Sequence, residues 1–384
     1  MKTPMFVIMV ATLTLLAGCA GKVEPQYPPK DLTSFDATVE LDSAWSQRIG
    51  EGLGRARYPI SAASEDGVIY AADTEGRVVA LEANSGDTRW EKNLDTAISS
   101  GLTAIGGGLY LGTRNGEVLA LSQDDGEIQW RSRVSSEVLA APQANSRLLI
   151  VQSVDGAVTA LDRATGDERW VYTGSQPALT LRGTGTPQVI EPVSFVGFAN
   201  GRLATLDNRS GQSLWEMRVA VPQGRSEVDR LVDLDGQPVL TPDGRLYVTS
   251  YNGRLVALEA TSGEMLWERE QSSYLTPLVV GDHLFTVNDA GHVLAMDALS
   301  GREIWRSTDL EGRWLTSPAF ADGRLVFGDF EGYVHLLDAS SGDIVGRTQV
   351  NGSGISLRPL TEGRRIYAQA NDGRLEALQI REIQ

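Results

Sequence analysis

The sequence predicts an all-β protein, an eight-bladed β-propeller with four antiparallel strands in each blade. Three observations carry this expectation. A Gly-led apolar segment recurs eight times, at Gly76, Gly116, Gly156, Gly201, Gly253, Gly291, Gly332 and Gly373, with successive spacings of 40, 40, 45, 52, 38, 41 and 41 residues. A period near 40 built on short strands marks a propeller or a solenoid. Trp90, Trp130, Trp170, Trp215, Trp267 and Trp305 fall at one place in six of these units, and no part of the body sustains a helical period.

The chain starts with an export leader. In residues 1–18, Lys2 precedes an apolar run over residues 5–16, about a dozen residues where a membrane-spanning helix needs ~20. The leader ends Leu16-Ala17-Gly18-Cys19, which resembles the lipobox of bacterial lipoproteins, where the Cys thiol takes a diacylglyceryl group and the signal is cut just before it. Cys19 is the only cysteine of the chain, so it is the expected lipid attachment site, and neither a disulfide framework nor a Cys metal cluster can form. In that class an Asp after the Cys retains the protein in the inner membrane; Ala20 therefore implies the outer membrane, on the periplasmic side. Residues 19–38 contain Pro25, Pro28 and Pro29 with little apolar periodicity and read as a flexible lipidated tether. Cleavage would remove Lys2 and take the net charge from −16 to −17, which disfavours nucleic acid as a partner and leaves acyl chains to hold the protein at the membrane.

Residues 39–384 are the propeller. Each unit reads as a Pro- or small-residue-rich strand, a second strand such as Leu246-Tyr-Val-Thr-Ser250, a turn, the Gly-led strand, a Ser-Gly or Thr-Gly turn, and a last strand with Trp. Asn115-Gly116, Asp155-Gly156, Asn200-Gly201, Asn252-Gly253 and Asp372-Gly373 tolerate positive φ and so favour two-residue hairpin turns. The eighth unit stops after its third strand, while Leu41-Asp-Ser-Ala-Trp45-Ser-Gln-Arg-Ile49 stands at the start as an orphan fourth strand. The two ends are expected to complete one blade, which removes the free edges of an open array.

The pattern Ala160-Leu-Asp-Arg-Ala-Thr-Gly-Asp-Glu-Arg-Trp170 resembles the tryptophan-docking repeat of quinoprotein propellers and recurs in register through the units. A Trp on an outer strand can bury a ring face against the neighbouring blade and give its N–H to a backbone carbonyl. Trp45, Trp90, Trp130, Trp170, Trp215, Trp267 and Trp305 are therefore expected to dock blades. Gly346 stands in the Trp place of the seventh unit, where a weaker joint with fast local hydrogen exchange is expected.

Quinoprotein dehydrogenases with this repeat hold a quinone and Ca²⁺ in the central channel, many beneath a vicinal disulfide. This chain lacks the second Cys. Its nearest approach to a calcium loop, Asp233-Leu-Asp235-Gly236, has Leu231 where the first Asp is needed. Gly106-Gly-Gly108 lies between strands and cannot open a helix over a phosphate, no Gly-x-Ser-x-Gly elbow is present, and the three histidines, His283, His292 and His335, are widely spaced. No catalytic residue, metal or cofactor is expected. The rival classes are a quinone-dependent dehydrogenase and a periplasmic glycan-binding propeller, the second of which would need a wide groove lined by aromatics.

The two widest repeat spacings place extra residues after Trp170 and after Trp215, in loops 174–187 and 221–238. Long loops on a rigid scaffold are favoured places for function, and apolar anchors beside Arg with acids at the rim suit a protein partner. A lipobox, a closed Trp-docking array and the segments Leu-Thr-Leu-Arg182 and Glu-Val-Asp-Arg-Leu-Val-Asp-Leu-Asp235 together resemble the BamB family of outer-membrane assembly lipoproteins. The resemblance implies a non-enzymatic scaffold of the β-barrel assembly machinery. It implies that Leu179, Leu181 and Arg182, with Asp229, Arg230, Asp233 and Asp235, engage the periplasmic POTRA domains of the central BamA-type insertase, and that other surfaces are open to unfolded outer-membrane protein precursors.

Overall fold

A computed structural model describes residues 26–175, 177, 185–223, 225 and 230–383. They form 32 strands, gathered in eight four-stranded antiparallel sheets arranged as the blades of a closed ring. Blades one to seven span residues 63–93, 103–133, 143–173, 188–218, 239–270, 278–307 and 319–349. In blade eight the strand Val39–Arg48 pairs with Arg374–Glu382, so the first strand of the chain is the outer strand of the last blade. The first strands of neighbouring blades meet around the central axis and the Trp-bearing strands form the rim.

The described residues share no single core. The buried residues form clusters, most of which straddle two neighbouring blades. Ile150, Val158, Ala160 and Trp170 of blade three, for example, pack on Val196, Phe198, Ala204 and Leu206 of blade four. The third strand of each blade is buried on both faces, whereas the outer strand buries mainly its Trp position. That contrast follows from alternation: a central strand is covered by both neighbouring blades, a rim strand by one.

The repeated motif can be read residue by residue. In blade three the Asp162 carboxylate accepts the backbone N–H groups of Ala164 and Thr165 at 3.0 and 3.1 Å, which fixes the turn before the outer strand. A hydrogen bond from Arg169, with these backbone donors, holds the Asp162 carboxyl below the usual carboxylate range. The Trp then follows a bulge: Ala160 pairs with Trp170 but Leu161 with Glu168, and the same shift recurs at the matching place in every blade. The extra residue turns the Trp ring toward the next blade.

Each indole then donates across the joint. Trp170 Nε1 lies 2.8 Å from the Asn208 carbonyl of blade four, and Trp90, Trp130, Trp215, Trp267 and Trp305 make the equivalent bond at 2.7, 3.0, 3.2, 3.0 and 3.1 Å. Trp45 makes it at 3.0 Å to Ala83, linking blade eight to blade one. The ring face rests on a turn glycine of the next blade: a Cβ on Gly211 would stand 2.6 Å from the Trp170 ring, and Gly211 also has φ +70°.

The joint between blades seven and eight is built differently, and the expectation of a weak contact at Gly346 is corrected here. The chain entering the first strand crosses Gly346: Thr38 N–H donates to the Val345 carbonyl at 3.0 Å. A Cβ on Gly346 would stand 2.8 Å from Val39 Cγ2 and 3.1 Å from the Val39 carbonyl oxygen. Val39 is buried among Val326, Leu336, Leu378 and Ile380, so backbone and a valine fill the space that an indole fills elsewhere.

The same stretch corrects the extent of the tether. Lys30 N–H donates to the Glu311 carbonyl at 3.0 Å, Leu32 and Phe35 pack on the blade six and seven cluster, and Arg347 lies 4.9 Å over the Phe35 ring. Arg313 donates to the Lys30 carbonyl at 3.0 Å and Arg347 to the Thr33 carbonyl at 3.1 Å. Behind them is a buried network. Asp329 Oδ2 receives Arg313 Nε and His335 Nε2 at 2.8 Å each, and Arg347 Nε donates to His335 Nδ1 at 3.1 Å. Burial pushes the His335 pKa down, so the ring is neutral, with its proton on Nε2. Residues 28–38 are thus a strap fastened to the body, not free chain.

Candidate functional site

Blade-to-blade connectors run from the rim of one blade to the axis of the next, and all eight therefore lie on one face. The two long connectors, after blades three and four, bound a groove of about 710 Å³. One wall is the start of the first loop, with Gly174, Ser175 and Pro177. The opposite wall is the second loop, with Pro222, Arg230, Leu231 and Val232. The floor comes from blades three and four: Tyr172, Phe198, Arg202 and Glu216.

These floor residues form a connected set. Tyr172 donates to Glu216 Oε1 at 3.0 Å, and Arg202 donates to Glu216 Oε2 at 3.0 Å. Burial, then the adjoining Glu216 carboxylate, pushes the Tyr172 hydroxyl up to about 12, so it stays a donor across the physiological range. Tyr172 also tilts against Phe198 with centroids 5.9 Å apart. The floor therefore presents an aromatic surface with a fixed acid and a fixed guanidinium at its edge. Two residues after the Trp place the other units carry Lys92, Ser132, Met217, Arg269, Ser307, Thr348 and Gln47, so a Tyr there is peculiar to blade three and marks the site in the sequence.

Turns of the following blades hold the loops in place. Asn200, in blade four, donates to the Ser175 carbonyl at 2.7 Å, and Asn252, in blade five, to the Leu231 carbonyl at 2.9 Å. The tail of the second loop is drawn inward. Tyr251 N–H donates to the Asp233 carbonyl at 2.8 Å in an antiparallel bridge, and fully buried Leu234 lies against Gly185 and Gly197.

Of the residues assigned to the partner surface, Leu179, Leu181, Arg182 and Asp229 lie outside the described residues. Arg230 is exposed and lines the groove. Asp233 corrects its assignment: it is 2% exposed and has no surface to offer a partner in this arrangement. The reason is the bridge to Tyr251, which buries the loop backbone and takes the side chain in with it. Asp235 is half-buried, and Asp233 Oδ2 and Asp235 Oδ1 are buried with no hydrogen-bond partner among the described residues. Burial raises the pKa of both carboxyls, and for Asp233 the neighbouring Asp235 raises it further. Both carboxyls therefore hold their protons to higher pH than an exposed carboxyl does. Burial, then Asp235, also raises the Tyr274 pKa. Among the described residues no group of three or more His, Cys, Asp or Glu is placed to hold a metal ion.

A second groove, of about 740 Å³, lies on the other side of the second loop between blades five and six, lined by Val219, Val221, Arg254, Glu268, Arg269 and Arg306 among others. Arg254 ties the loop's start to blade five through a 2.8 Å bond to the Val219 carbonyl and an ion pair with Glu268. The second loop is thus a ridge between two grooves.

The family model described as "Outer membrane protein assembly factor BamB" matches residues 30–103, 74–307 and 289–382. An outer membrane protein assembly factor BamB of Pseudomonas aeruginosa is 47% identical over 374 residues, covering 97% of this chain and 98% of that protein. The crystal structure of BamB from Moraxella catarrhalis superposes with a TM-score of 0.81 at 28% identity, covering 88% of this chain and 99% of that one. A europium-containing methanol dehydrogenase superposes with a TM-score of 0.71 at 14% identity, covering 86% of this chain and 84% of that one. That likeness is one of fold alone.

Proposed function

The chain belongs to the BamB family of outer membrane protein assembly factors, and from that premise we propose that it is a scaffold lipoprotein whose two long loops hold the POTRA domains of the central β-barrel insertase. As a member of that family it is an assembly factor and not an enzyme. In this reading Cys19 carries the lipid, the body lies on the periplasmic side of the outer membrane, and surfaces away from the loops receive unfolded barrel precursors or organise neighbouring components.

The observation that carries the reading is the convergence of both loops on one groove, although they arise from different blades. A rigid floor with walls from two connectors offers a partner domain a preformed seat, which lowers the ordering cost of binding. Leu179 and Leu181 supply apolar anchors, with Arg182, Asp229 and Arg230 as charged contacts around them. Asp233 and Asp235 act from within, fixing the ridge on which Arg230 stands. Arg182→Glu combined with Leu179→Ala should abolish co-purification of the insertase while the melting temperature is kept. Undiminished co-purification would sink the assignment of this face.

A further inference from the structure

Seven of the eight tryptophans dock blades; the eighth, Trp314, does not. It is 59% exposed, against 8–9% for Trp90, Trp130, Trp170 and Trp267. Its backbone has φ +49°, a conformation that a bulky side chain adopts only where its surroundings force it. Arg313 is held by Asp329 and by the Lys30 carbonyl, and its guanidinium lies 5.1 Å over Phe330. The Trp314 ring tilts on Phe330 with centroids 5.7 Å apart, so its other face is turned to solvent.

The position of Trp314 matters because of the strap. The Pro28 carbonyl oxygen lies 2.5 Å from where a Cβ of Gly312 would be, and Lys30 is bonded to Glu311 and Arg313. The fastened chain therefore leaves the body within two residues of Trp314. From Cys19 to Pro28 there are nine peptide steps, at most roughly 30 Å when extended and roughly 17 Å as a flexible coil. Trp314 lies in the connector from blade six to blade seven, on the same face as the two long loops.

We propose that the corner of this face around Trp314 rests on the phospholipid bilayer, with the indole in the headgroup region, so that lipid, strap and Trp314 orient the propeller as one unit. Trp is enriched at membrane interfaces because its ring is apolar and its N–H can stay wet. The proposal rests on the lipid-anchor reading of Cys19. The short leash keeps the exit point near the headgroups, and the exposed, rigidly presented aromatic beside that point meets them first.

The test uses the full lipidated chain in vesicles of phosphatidylethanolamine and phosphatidylglycerol, with and without phosphatidylcholine brominated near the headgroup. Bromolipid should quench about one-eighth of the emission, the share of one tryptophan in eight, and Trp314→Phe should remove that component while the protein still floats with the vesicles. Flotation that fails, with Cys19→Ala behaving like the unaltered chain, overturns the anchor reading and this inference with it. Flotation that succeeds without quenching, or with quenching unaltered in Trp314→Phe, overturns this inference alone.

Discussion

The joint between blades three and four and the joint between blades seven and eight occupy equivalent places in the ring and are closed by different means. At the first, an indole crosses from Trp170 to Asn208 and rests on Gly211. At the second, the chain itself passes over Gly346, and Val39 fills the space. The slot therefore needs apolar volume and a bonded backbone, not tryptophan as such. The difference also separates two tasks. Where a side chain closes the joint, the connector beside it varies freely, from 94–102 after blade one to 174–187 after blade three. Where the N-terminal chain closes it, that end of the molecule is committed to the ring and its exit point is fixed.

The largest loss is expected from truncating the indole between blades three and four. Trp170→Ala should cost about 3–5 kcal/mol, measured by urea unfolding, because it leaves a cavity between two blades and an unpaired Asn208 carbonyl. A loss under about 1 kcal/mol would mean that the joint does not depend on its Trp. Gly346→Ala acts at the joint between blades seven and eight. The added methyl meets Val39 at 2.8 Å, so overpacking of about 1–3 kcal/mol is expected, with hydrogen exchange speeding up first in residues 38–48. Unchanged exchange there would remove the strap from the joint.

A smaller effect concerns the second long loop, beside the joint that Trp215 closes. Asp233 and Asp235 have raised pKa values in the folded chain, so the folded loop holds protons that the unfolded chain releases. Stability from this source is full below the ordinary carboxylate range and falls as pH rises through the raised one. Exchange protection of residues 230–238 should therefore be greater at pH 6 than at pH 8. Asp233→Asn should flatten that dependence, by about 1.4 kcal/mol for each pH unit over which the pair titrates. A slope that survives the substitution would place the titrating group elsewhere.

Much of this molecule was legible in its sequence because its information is local and repeated. The eight Gly-led strands set the number of blades, the Leu-Asp-x-x-Thr-Gly run sets a turn through one carboxylate and one positive-φ residue, and the Trp after it has one neighbour to meet. The orphan strand around Trp45 could be matched to the unfinished last unit for the same reason. What stayed hidden was whatever depends on two distant segments sharing a space. Gly346 is a Gly because Val39, some three hundred residues earlier, lies over it. Residues 28–38 read as free chain because their partners, Glu311, Arg313 and Arg347, carry no mark of the contact. Asp233 reads as a surface acid until the bridge to Tyr251 draws it in. Periodicity therefore fixes the blades, while burial at the ring's closure and beneath its long loops is decided only when segments from different blades are brought together.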